Sequence, residues 1–68
     1  MEFLYEQSEQ IFDSAIKEGV LSDNEQDKNY AGNFMYMYTD NGVHYFKHSI
    51  TRKYGYNKET IIEACKVY

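Results

Sequence analysis

Hydrophobic and polar positions along this chain follow a helical period at both ends and a period of two in the middle. Over residues 2–18, Leu4, Ile11 and Ala15 fall on one stripe at helical spacing, with Phe12 and Ile16 beside it. Glu2, Glu6, Glu9 and Asp13 stand between them, and acids near an N-terminus suit the helix dipole. Gly19 is a natural left-handed stop, and Val20 can fold back on the last turn. The pattern predicts an N-terminal amphipathic helix covering a sheet. Periodicity then lapses over the polar residues 22–33. Ser22 and Glu25 have capping-box spacing, so one or two helical turns ended by Gly32 fit this segment as well as a solvated loop does.

Two β-prone runs follow, Phe34–Thr39 and Val43–His48, with Asp40-Asn41-Gly42 between them. Asn-Gly favours a type I′ hairpin because both residues must take positive φ. A two-residue loop at Asn41-Gly42 predicts an antiparallel hairpin over about 33–39 and 43–49, with Tyr38 opposite Tyr45 and Met37 opposite Phe46. Strict alternation then sorts the side chains. One face carries Phe34, Tyr36, Tyr38, Tyr45 and Lys47. The other carries Met35, Met37, Phe46, His48 and Ile50, and is expected to pack on the first helix.

Ser49 is placed to cap a short helix over 50–54 that Gly55 would break. Asn57 is a good cap for a last helix over about 58–67, with Ile61, Ile62, Cys65 and Tyr68 on its apolar side. The expected fold is α+β: a helix, a central antiparallel hairpin and a C-terminal helix in a single small domain, residues 1–68.

Composition adds limits. A chain of 68 residues buries only about 60% of its unfolded surface. One cysteine cannot form a bridge within the chain, and the aliphatic set is thin. Small domains of this kind gain stability from oligomers or targets, so a homo-oligomer, such as a dimer, or a bound protein partner is expected. No apolar run reaches the length of a membrane helix, and Met1-Glu2-Phe3 lacks the basic start of a signal peptide. A cytoplasmic domain without membrane contact is the expectation.

The net charge of −4 conceals a division. Residues 1–27 hold eight acids and one lysine, a charge of −7, whereas residues 28–68 hold six bases and three acids, a charge of +3. From Val43 to Lys58 no acid occurs, and Lys47, Arg52, Lys53 and Lys58 alternate with aromatic residues.

Three surfaces could carry function. Tyrosine offers large area, little entropy cost and a hydroxyl, and is enriched at binding hot spots. Tyr36, Tyr38 and Tyr45 on one hairpin face therefore suggest a partner-binding surface. Glu6, Glu9 and Asp13 on the first helix extend this reading, because a row of carboxylates can mimic phosphates. Together they suggest a small inhibitor or adaptor that occupies a surface of a nucleic-acid-processing machine, of the kind made by phages and mobile elements. The alternative is direct nucleic-acid binding through Lys47, Arg52, Lys53, Tyr54, Tyr56 and Lys58, since bases interleaved with aromatics contact phosphates and stack on nucleobases. In that reading residues 50–64 resemble the spacing of a helix-turn-helix, with Gly55 at the turn, Asn57 as cap and Ile61 pointing inward.

No catalytic constellation is visible, and no enzyme activity or cofactor is expected. His44 and His48 lie four residues apart on a strand, about 13 Å, too far for one zinc ion. Cys65 falls on an apolar stripe, where a thiol is inert.

Overall fold

The computed structural model describes residues 8–66. Helix α1 (Ser8–Lys17) forms on the predicted stripe and buries Ile11 and Ala15. The part of the predicted helix that carries Glu2, Leu4 and Glu6 lies outside the described residues. Gly19 ends α1 at φ +82°. The Gly19 N–H donates to the Ile16 carbonyl at 3.1 Å and the Val20 N–H to the Ala15 carbonyl at 2.9 Å, the paired bonds of a Schellman stop. This turn drives Leu21 into the core at 2% exposure.

Residues 22–30 form a loop and not a helix. Of the two readings of this segment the loop is the one that forms: Ser22 accepts the Asn24 N–H and donates to the Asp27 carboxylate at 2.6 Å. A single 3-10 turn, Ala31–Asn33, leads into the sheet.

The sheet has three antiparallel strands in the order β1 (Phe34–Asp40), β2 (Val43–His48), β3 (Tyr54–Gly55). Asn41 and Gly42 take φ +51° and +76° in the hairpin turn, as the Asn-Gly pair requires. From the turn the register runs as expected through Tyr38 opposite Tyr45. A bulge then inserts Met37, so that Tyr36 and not Met37 faces Phe46. The extra residue reverses the parity of the first half of β1. Phe34, Tyr36, Thr39, Phe46 and His48 are buried on the inner side, whereas Met35 is exposed. The expectation that Met35, Met37 and Ile50 belong to the core face is therefore corrected. Ile50 is 74% exposed in the turn after β2.

The predicted helix over 50–54 does not form. The His48 ring nitrogen Nδ1 accepts the N–H groups of Ile50 and Thr51 at 3.1 and 3.3 Å and caps a single turn, which Arg52 at φ +65° prevents from continuing as a helix. The His48 N–H donates to the Lys53 carbonyl at 2.9 Å and closes a second hairpin, with a longer connection, into β3. Helix α2 (Lys58–Ala64) follows, with Asn57 and Thr60 forming a reciprocal capping box. Its end at Ala64 is earlier than the predicted residue 67. Gly55 is a contact point and not a helix breaker: a Cβ there would meet the Ile61 Cα at 2.8 Å and nitrogen at 2.9 Å.

Both helices lie on one side of the sheet. Ile11, Ala15, Leu21, Phe34, Tyr36, Phe46, Ile61 and Ala64 form one core, and the Phe12 ring sits 5.1 Å from Phe46. No helix among the described residues is long and apolar enough to cross a membrane.

Candidate interaction face

Alternation in β2 sends Tyr45 and Lys47 to the side of the sheet opposite Phe46 and His48. Tyr38 stands across from Tyr45 on the neighbouring strand, and Tyr54 stands across from Lys47. The result is a continuous aromatic surface. The Tyr38 and Tyr45 rings stack with centroids 4.8 Å apart and an interplanar angle of 19°. Tyr38 also lies 6.3 Å from Tyr54, and Tyr45 lies 5.4 Å from Tyr56. The Lys47 ammonium sits 5.6 Å above the Tyr54 ring, a cation–π contact that holds it over the same surface. Tyr54 and Tyr56 remain 45% and 47% exposed, enough ring area to receive a partner. Desolvation within the cluster, with the nearby Tyr45, Tyr54 and Asp40 charges, pushes the Tyr38 phenol above its ordinary value. Tyr38 therefore presents a neutral phenol, and phenol hydroxyls both donate and accept.

Tyr36 does not belong to this surface. The bulge turns it inward to 6% exposure, and its hydroxyl lies 2.7 Å from Thr39 Oγ1. Thr39 Oγ1 in turn lies 2.6 Å from His44 Nδ1. The inner side of the hairpin thus carries a hydrogen-bonded chain from Tyr36 through Thr39 to His44. Its hydroxyls have partners and line no open site, so it serves packing and register.

The two sets of aromatic residues read separately from the sequence converge here. Tyr38 and Tyr45 came from the partner surface, and Tyr54, Tyr56 and Lys47 from the nucleic-acid surface. Their union was detectable in principle, because Tyr54 and Tyr56 are two residues apart and straddle a glycine, as strand neighbours do. The remaining cations do not join them in one cluster. Arg52 is exposed in the turn at φ +65°. The Lys53 ammonium donates to the Lys66 carbonyl at 3.0 Å. Lys58 opens α2 and borders a cavity with Asp23 and Asp27. Because residues 50–54 are not helical, residues 50–64 hold one helix and no helix-turn-helix.

The acidic row is also separate. Glu9 and Asp13 are exposed on α1, whose buried residues Ile11 and Ala15 point toward the sheet. They lie on the far side of the helix layer from the tyrosines. Glu6 lies outside the described residues. Among the described residues, no cluster of three His, Cys, Asp or Glu side chains could hold a metal ion. Cys65 is half-buried, and its thiol points at the Lys28 carbonyl, 2.7 Å away. Desolvation pushes this thiol up, with Lys28 opposing, so it stays protonated at neutral pH.

Comparison with protein families, characterised proteins and solved structures finds no match to this chain.

Proposed function

We propose that this chain is a small protein-interaction module, an inhibitor or adaptor that seats the outer face of its sheet on a protein partner. The observation that carries this reading is the contiguous surface of the half-buried Tyr38 and Tyr45 and the exposed Tyr54 and Tyr56, with each ring in contact with another. Rigid tyrosines lose little entropy on binding and cluster at hot spots. Size and tyrosine content support a nucleic-acid-processing machine as the partner class. Lys47 over Tyr54 favours a second reading on the same face, in which single-stranded nucleic acid stacks on the tyrosines.

The test is photocrosslinking in host lysate with a benzophenone amino acid in place of Tyr56. We expect a protein adduct that excess unlabelled wild type removes and excess Tyr38→Ala/Tyr45→Ala does not. Fluorescence anisotropy with poly-dT and poly-U oligomers at low salt should show no binding. Equal competition by the double variant would overturn the assignment of the face. Salt-sensitive oligonucleotide binding that the double variant loses would transfer the face to the second reading.

A further inference from the structure

On the inner side of the sheet, His48 is 6% exposed and its ring is held on two sides. Phe34 meets it edge-on at 5.0 Å, and Nδ1 accepts two backbone N–H groups from the following turn. A ring nitrogen that accepts carries no proton, so the neutral imidazole carries its proton on Nε2. Among the described residues nothing accepts from that N–H, and Nε2 is not sealed from solvent.

His48 lines a cavity of about 380 Å³ between α2 and residues 27–33. The other polar groups around this space are chiefly donors. Lys28 contributes an ammonium and Asn33 a side-chain amide. Lys66 lies at the rim, 3.1 Å from Glu63. The one acid lining the cavity, Asp27, accepts the Ser22 hydroxyl at 2.6 Å. Cys65 directs its thiol hydrogen at the Lys28 and Ile61 carbonyls, so it supplies neither a base nor a nucleophile. The His48 Nε2–H, open to solvent and without an acceptor among the described residues, shares this cavity with the Lys28 and Asn33 donors.

We propose that this cavity binds a small oxyanion, a phosphate or carboxylate group, received by the His48 Nε2–H with the Lys28 ammonium and the Asn33 amide beside it. The site is independent of the tyrosine face, which lies across the sheet.

The test is titration of the isotope-labelled full chain with sodium phosphate and, separately, sodium acetate. Ionic strength is held constant with chloride, at about pH 8, above the ordinary imidazole range. Long-range proton–nitrogen spectra report each imidazole nitrogen. We expect the His48 Nε2 signal to shift and saturate below about 50 mM of at least one anion, while the His44 signals stay fixed. Saturation by phosphate alone, or by acetate alone, identifies the group bound. Lys28→Ala should weaken binding about fivefold to tenfold, the loss of one charge-assisted contact. His48→Asn keeps an acceptor near the Nδ1 position and removes the Nε2 donor. It should retain the hairpin amide spectrum and abolish the saturable shift of the Asn33 amide. Linear drift of the wild-type His48 signal with both anions would overturn the proposal, whether or not His48→Asn folds. Wild-type affinity in a folded His48→Asn variant would do the same.

Discussion

Thr39 sits between two aromatic residues, its hydroxyl 2.7 Å from the Tyr36 hydroxyl and 2.6 Å from His44 Nδ1, at 5% exposure. One hydroxyl serves both neighbours, so its removal takes a hydrogen bond from each in a partly buried setting. Thr39→Val keeps the shape and β-branching and deletes only the hydroxyl. It should cost about 1–3 kcal/mol. A core this small rarely supplies more than about 3–5 kcal/mol in total. The urea midpoint, followed by tyrosine fluorescence, should therefore fall by a large fraction, and Thr39→Ser should recover most of the loss. An unchanged midpoint in Thr39→Val would show that the chain of hydroxyls contributes nothing to stability.

At the scale of elements, helix α1, its glycine stop, the Asn-Gly hairpin and the Asn57 cap were all legible, because each rests on local rules. Three things were not. Met37 looks like any other apolar residue of a strand, and nothing in its type marks it as the unpaired residue of a bulge. Hence strict alternation places Phe34 and Tyr36 on the outer face, whereas Tyr38 and Tyr45, between the bulge and the turn, keep the side it predicts. His48 acts as a cap for the turn after β2, a role that sequence rules give to Ser49. Gly55 reads as a breaker, yet it is glycine because α2 approaches within 2.8 Å of where its Cβ would stand. The last two errors concealed β3, and with it the union of Tyr54 and Tyr56 with the hairpin tyrosines. The bulge has a sharp consequence. Deleting Met37 leaves Phe34 and Tyr36 inward, Tyr38 outward and Thr39 inward in unbroken alternation. The deletion variant should therefore fold with Tyr36 still opposite Phe46 and Tyr38 still opposite Tyr45, seen as cross-strand nuclear Overhauser contacts. If Tyr36 turns outward instead, hydrophobic burial does not set the register of β1 and the bulge itself does.

At the scale of the whole molecule, the charge division and the tyrosine face have different geometry. The folded chain measures 30 × 22 × 17 Å along its principal axes. Glu9 and Asp13 face away from the sheet across the diameter of α1, about 10–12 Å with side chains, and the sheet lies beyond. That separation exceeds the Debye length of about 8 Å at physiological ionic strength. A partner seated only on Tyr38, Tyr45, Tyr54 and Tyr56 is thus screened from these carboxylates. The partner recovered by crosslinking provides the assay. Glu9→Gln/Asp13→Asn should change its affinity by less than about twofold at physiological salt. Tyr45→Ala, which removes the centre of the aromatic cluster, should weaken it by about thirtyfold, the effect of losing about 2 kcal/mol at a hot spot. Surface plasmon resonance at two salt concentrations separates the contributions. If the charge-neutral pair loses affinity as the tyrosine variant does, the partner wraps from the sheet onto α1, and the interface is larger than the tyrosine face.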